Sequence, residues 1–390
     1  MLYRLFNKTQ MSRLKFDAIV IGGGMITHDQ LLPSLYQLRR LGYIGNIRVC
    51  ARTSATLKKL AASETIRMAF PDQTIDPATE PFESVLKSMA PRQLAVVAVP
   101  DPLHRDVILA ALNADLHVCA VKPLVMRSLD SLEIEKEAWR RSLFVGIDYH
   151  KRFDDRSLMA RRAYRDGKFG EFRLGHACLH EKWNYRDSNF QNWCTSENSD
   201  AFCYIGCHYV DLVQFITGLE PVAVSVYGLR DCYPNGNEGF LWTDARVRWS
   251  NGASLNVQNS LGYPEEGPGS NMQGLTMWCS GSDGGAMIRH SDQYRGLEYS
   301  YLGAPYSEPS SDYFQYVPFP DVSGLTPVGY GYRSIDRIVD ACRRVEENPR
   351  ALAEIDREGI IATPANSRHN ERVIEAARKS ILDGGREITL

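Results

Sequence analysis

Four short stretches of the chain combine residue types that bind a nucleotide or move a proton. Gly22, Gly23 and Gly24 end the β-branched run 16–21 and precede Met25, Ile26 and Thr27. Glycines let backbone amides approach a pyrophosphate, and the N-terminus of a following helix adds partial positive charge. The spacing is Gly-x-Gly-x-x-Thr, and an ordinary tight turn has the same composition. After the second strand-like run the chain reads Cys50-Ala51-Arg52-Thr53-Ser54, with no carboxylate to receive ribose hydroxyls. Arg52 with the Thr53 and Ser54 hydroxyls suits a 2′-phosphate, which favours NADP over NAD. The same residues equally suit a helix cap beside a solvated arginine.

Two further stretches carry titratable groups. Val121-Lys122-Pro123 follows a strand directly, and a lysine there can donate to a substrate oxygen and stabilise a developing alkoxide. An isolated lysine is also an ordinary surface charge. On a helix spanning about 202–217, Tyr204, His208 and Asp211 fall at i, i+4 and i+7, so they share one face. Histidine suits general-base work near neutral pH, and tyrosine can relay a proton. A core histidine beside an aromatic looks the same. Cys203, Cys207 and His208 crowd too closely for a closed zinc site, so no metal is expected.

The elements around these residues alternate. Strand-like runs near 16–21, 47–50, 94–99, 117–120 and 143–147 are separated by helical stretches near 31–41, 54–62, 82–89, 107–112 and 128–141. Strands alternating with helices imply a doubly wound parallel sheet, a Rossmann domain over 15–147. Residues 148–390 change character, with a helix near 156–164, an extended stretch 171–178 and then a succession of strands near 221–227, 243–249, 253–259, 275–280 and 286–290. Asn251-Gly252 marks a hairpin turn between two of them. This second domain reads as α+β, an open, mostly antiparallel sheet with helices on one face. Residues 1–14 read as a loose leader, and 303–331 as a long aperiodic arm. The tail returns to helix from Ser334, and its helices can pack back on the N-terminal domain.

Composition narrows the classes further. Of 390 residues, 45 are Lys or Arg and 47 Asp or Glu, a net charge of −2 with no basic block. No nucleic-acid footprint is therefore expected. No apolar run approaches the ~20 residues of a membrane span, and residues 1–15 carry no secretory pattern. The nine cysteines have no CxxC pairing and read as free thiols in a reducing, cytoplasmic setting.

Together the glycine turn, Val99-Pro100-Asp101-Pro102-Leu103-His104, Val121-Lys122-Pro123 and Gly206-Cys207-His208-Tyr209-Val210-Asp211 resemble the Gfo/Idh/MocA family of NAD(P)-dependent oxidoreductases, over about residues 15–390. The resemblance implies a Rossmann domain, a C-terminal α/β domain that often supports oligomers (a homodimer or tetramer here), and a sugar, glycoside or cyclitol substrate. By position, Lys122 matches the lysine of the family's Glu-Lys-Pro motif and His208 its catalytic histidine. Gly22, Gly24, Met25, Ile26, Pro100 and His104 match positions near the cofactor, and His150 a substrate-facing position. The chain departs from the pattern twice: Val121 replaces the usual glutamate, and Tyr204 stands where an aspartate often precedes the histidine. A Tyr–His–Lys constellation of Tyr204, His208 and Lys122 is therefore expected at the reacting carbon.

The stretch from Glu181 to Trp193 mixes aromatics with hydrogen-bonding side chains, which suits a sugar with Trp183 stacked on its ring; a loop pinned by its tryptophans is the alternative. Three functions remain open at this stage. The first is hydride transfer between NAD(P) and a carbohydrate CH–OH group. The second is a glycoside-processing variant that oxidises C3, eliminates and recycles its cofactor. The third is a dinucleotide-binding regulator without turnover.

Overall fold

The computed structural model describes residues 14–281, 284–291, 299–301, 304–307, 312–318 and 323–390. The expected leader at 1–14 lies almost wholly outside the described residues. The first sheet is built from β1 (Phe16–Ile21), β2 (Ile44–Cys50), β3 (Asp76–Ala78), β4 (Leu94–Val97), β5 (His117–Val121) and β6 (Val145–Asp148), in the order β3-β2-β1-β4-β5-β6 and parallel throughout. That order places a crevice at the carboxyl ends of β1 and β4, where the direction of winding reverses. β1 and β4 are buried nearly throughout, as apolar strands covered on both faces must be.

The helices between them are α1 (Leu32–Arg40), α2 (Ser54–Ala61), α3 (Glu64–Ala69), α4 (Phe82–Ser88), α5 (His104–Asn113) and α6 (Ser128–Arg141). Pro33 sits in the first turn of α1, where its missing N–H costs nothing. The pattern reading lacked β3 and α3. β3 is Asp76-Pro77-Ala78, a short strand at the sheet edge, the one place where proline does not break a ladder.

The second sheet runs β12-β11-β7-β10-β9-β8-β17. Its strands are β7 (Phe172–Lys182), β8 (Pro221–Cys232), β9 (Glu238–Trp249), β10 (Ser254–Tyr263), β11 (Asn271–Cys279), β12 (Ala286–Ser291) and β17 (Ile388–Thr389). Only β7 and β10 pair in parallel; the other pairs are antiparallel. One face buries Ala177, Leu179, Leu255, Val257, Leu275 and Met277. The other exposes Leu174, Tyr227, Trp278 and Met287. On the buried side lie α7 (Asp155–Arg165), α8 (Cys207–Thr217) and α11 (Pro364–Leu382).

Part of the expected arm at 303–331 is ordered as strand. β13 (Tyr299–Tyr301) pairs with β14 (Ala304–Ser307), and β15 (Gln315–Pro318) with β16 (Leu325–Val328), while 308–311 and 319–322 lie outside the described residues. Arg40 of α1 reaches the carbonyls of Ser323 and Leu325 at 2.8 Å each, tying this hairpin to the first domain. α9 (Tyr330–Glu347) packs against the first sheet, with Ile335, Ile338 and Cys342 in one core with Cys119 and Phe144. α10 (Ala351–Glu358) follows it before α11.

Candidate functional site

A cleft of about 900 Å³ opens at the carboxyl ends of β1, β4, β5 and β6, and it contains residues from both domains. Its floor is the glycine turn. Gly22 has φ +113°, and a Cβ there would lie 2.0 Å from the Ala98 carbonyl oxygen, so glycine is required. A Cβ on Gly24 would meet nothing within 4 Å, which leaves its backbone open to a ligand. Thr27, at the expected third glycine position, donates from its hydroxyl to the Gly22 carbonyl at 2.7 Å and so braces the turn. One π-helical turn (Thr27–Leu31) then leads into α1. Gly24, Met25, Ile26 and Pro100 all line the cleft, a shape that fits the pyrophosphate of a dinucleotide.

Other residues singled out in the sequence lie elsewhere. His104 is fully buried and bonds the carbonyls of Val99 and Pro123, at 2.8 and 2.7 Å. It positions the strand ends that carry Pro100 and Lys122 and does not line the cleft. The Thr53 hydroxyl caps α2 by accepting from the Thr56 amide, and Arg52 is exposed. Neither residue lines the cleft, whereas Thr56 and Lys59 of the same helix do. Trp183 is 47% exposed, its ring stacked on the Arg186 guanidinium 3.8 Å away. It too lies outside the lining, and Phe190 and Trp193 take the expected aromatic place. The stretch was misread because β7 runs on to Lys182.

Lys122 and Tyr204 both line the cleft. The Lys122 ammonium donates to the Tyr204 carbonyl and stands 3.5 Å from the centroid of its ring. Residues Phe202–Gly206 form a π-helical turn rather than α-helix, so the expected i, i+4 stacking of Tyr204 on His208 is replaced by a wider register. Burial, with Asp101 and Glu181 nearby, holds the Tyr204 phenol well above its usual range.

His208 is 6% exposed and does not line the cleft. It lies behind His150, which does, with ring centroids 4.7 Å apart. Burial, then the charges of Lys122, His150 and Lys151, push His208 well below its ordinary range, so it is neutral at pH 7. Asp211 does not serve it. Arg152 grips Asp211 in a buried bidentate pair at 2.8 and 2.5 Å, and Asn370 donates to the same carboxylate at 2.9 Å.

Four groups went unnoticed as site residues. Asp148, at the end of β6, lines the cleft beside His150. Its carboxylate accepts Gln30 Nε2 at 2.8 Å and the Ser334 hydroxyl at 2.5 Å. Tyr313 stacks near His150, with centroids 4.8 Å apart, and donates to Gln30 Oε1 at 2.5 Å. Glu181 ends the buried face of β7, where alternation continues Gly175, Ala177 and Leu179 with a carboxyl. Burial pushes that carboxyl up to about 7, against a hydrogen bond from Asn271 and the charges of Lys122 and Lys151. The switch from apolar to acidic along one strand face was the available signal. Asp148 and Gln30 had none, since their partners are distant in sequence.

Comparison with known proteins bears on the family and the fold. A model described as the oxidoreductase family with an NAD-binding Rossmann fold matches residues 16–149, and the GFO/IDH/MocA C-terminal domain matches 157–287. Inositol 2-dehydrogenase 1 of Saccharopolyspora erythraea is 30% identical over 136 residues, 35% of this chain and 38% of that protein. The scyllo-inositol 2-dehydrogenase (NADP(+)) IolW of Bacillus subtilis is 21% identical over 223 residues, 55% of each chain. The chain thus spans well under two thirds of the length of the curated relatives it matches. Among solved structures, an inositol dehydrogenase homolog complexed with NAD+ from Azotobacter vinelandii superposes with a TM-score of 0.71 at 17% identity, covering 98% of this chain and 99% of that one. At that identity the likeness is one of fold.

Proposed function

The chain belongs to the Gfo/Idh/MocA family of NAD-binding oxidoreductases, and from that membership we propose that it moves hydride between NAD(P) and a CH–OH carbon of a sugar, glycoside or cyclitol. The observation that carries the reading is convergence: glycine turn, Lys122 and His150 line one cleft, with His208 directly behind. Gly22, Gly24, Met25 and Ile26 would hold the dinucleotide phosphates. When bound, the nicotinamide supplies the hydride acceptor or donor.

The residues of this chain do the rest. Lys122, steadied by Tyr204, donates to the substrate oxygen and stabilises its negative charge as the carbon–hydrogen bond breaks. The imidazoles of His208 and His150 provide the site for the hydroxyl proton. Phe190 and Trp193 give apolar surface on which a sugar ring packs. Arg52 is exposed just before α2, whose Thr56 and Lys59 line the cleft, and a guanidinium there would pair with a 2′-phosphate, which favours NADP.

The test begins with titration of NADH and NADPH by fluorescence, then absorbance assays against polyols, glycosides and cyclitols. Turnover that falls by about 10²-fold or more in Lys122→Ala and in the double variant His150→Ala/His208→Ala is expected. Binding of neither dinucleotide, or full activity in both variants, overturns the proposal. Arg52→Ala is expected to weaken NADPH about ten-fold and to leave NADH unchanged.

A further inference from the structure

The two imidazoles of the site differ in what stands behind them. His208 has Lys122, His150 and Lys151 as its charge neighbours, all cationic or neutral, and its buried Nδ1 has no hydrogen-bond partner. Its helix carries Asp211, but Arg152 and Asn370 hold that carboxylate. The His208 ring is packed edge-on against Tyr149, and among the described residues no carboxylate is placed to stabilise its imidazolium.

His150 has what His208 lacks. Its Nδ1 lies 3.7 Å from Asp148 Oδ2, and no shorter bond satisfies it. A carboxylate facing Nδ1 selects the tautomer that leaves Nε2 free to work, and it opposes the burial that holds the ring below its ordinary range. Contacts of this kind are commonly long before substrate binds and tighten in the reactive complex. Asp148 is itself fixed by Gln30 and Ser334, on different elements, so it cannot swing away to another partner. The ring of His150 is held between Tyr313 and Tyr330, with centroids 4.8 and 5.6 Å away. Of the two imidazoles, His150 is the one that lines the cleft.

We propose that His150, oriented by Asp148, is the group that takes the hydroxyl proton, and that His208 remains neutral as a positioning residue behind it. The inference rests on the hydride-transfer reading. In the oxidative direction the substrate O–H bond breaks and its proton passes to His150 Nε2. The C–H hydrogen leaves with its electron pair to the nicotinamide, and the carbon becomes a carbonyl. The reverse step returns both, so no other oxidant is needed. The groups that face His150 and set its titration are Asp148 on β6, Lys122 after β5, Lys151 beside it, His208 on α8, Tyr313 on the arm and Tyr330 on α9.

The experiment compares His150→Asn, His208→Asn and Asp148→Asn by pH–rate profile, on whichever polyol the wild type turns over fastest. NADH affinity and thermal unfolding report that each variant is folded. His150→Asn should lower kcat about 10³-fold and abolish the acidic limb of the profile. Asp148→Asn should move that limb about 1 pH unit lower, because loss of the carboxylate disfavours the imidazolium. His208→Asn should keep the limb and lose about ten-fold or less. A limb that survives His150→Asn but disappears in His208→Asn overturns this assignment and leaves the oxidoreductase standing. Wild type that binds NADH but turns over no polyol overturns both.

Discussion

Lys122 and Tyr204 meet twice: the ammonium donates to the Tyr204 carbonyl and also stands over the ring of that residue. The backbone contact survives any substitution at 204, whereas the ring contact does not. Tyr204→Phe should therefore keep kcat within about three-fold, and Tyr204→Leu should lower it about ten-fold, the worth of one desolvated cation–π contact. Steady-state rates at saturating cofactor decide this. A Phe variant as slow as the Leu variant would assign the effect to the phenolic hydroxyl.

Glu181 should make substrate affinity depend on pH. Its carboxyl, pushed up to about 7, lies outside the cleft lining and acts through Lys122: it carries a proton below neutrality, and above it its charge steadies the ammonium that meets the substrate oxygen. KM for a polyol is expected to fall as pH rises through 7. In Glu181→Gln that dependence should vanish, because no charge then develops near Lys122. KM measured from pH 6 to 8 in both proteins is the check.

Asp211 should matter for stability rather than for chemistry. With Arg152 it forms a pair 1% exposed on each side, and Asp211→Asn leaves a buried guanidinium without its counter-charge. Such a loss costs about 3–5 kcal/mol, measurable as a shift in the urea midpoint. Folded variant at low temperature should still bind NADH.

Glu371 on α11 is completely buried, and among the described residues no side chain hydrogen-bonds its carboxyl. Burial holds the group protonated, pushed up to about 8 from 4.5. The native state therefore binds a proton that the unfolded chain releases above 4.5, so stability declines as pH rises from there through about 8. Glu371→Gln should remove this slope, changing nothing at pH 4 and adding about 4 kcal/mol at pH 8. Chemical unfolding at the two pH values provides the comparison.

The parallel sheet and its crevice were readable because β4 is an unbroken apolar run, β1 is interrupted only by Asp17, and Gly22 must be glycine. Lys122 was readable for the same reason, since it follows a strand directly. β3 escaped because three residues containing a proline have no period to detect. The π-helical turn before His208 escaped because its residues suit an α-helix equally well; only packing of Phe202 and Asn259 around Gly206 distinguishes them. Asp148, Gln30 and Tyr313 form one network across 283 residues of chain, and no spacing rule spans that distance. β7 runs four residues beyond the expected end at 178, to Lys182, and Trp183 follows it outside the cleft lining.

Arg40 is one side chain that touches both halves of the molecule. From α1 its guanidinium reaches Ser323 and Leu325 on the hairpin side, and also Ala69 and Asp72 next to α3. A rivet in that position fixes the hairpin, and α9 behind it, to the first domain, so this part of the later chain travels with the nucleotide crevice in any swing of the second sheet.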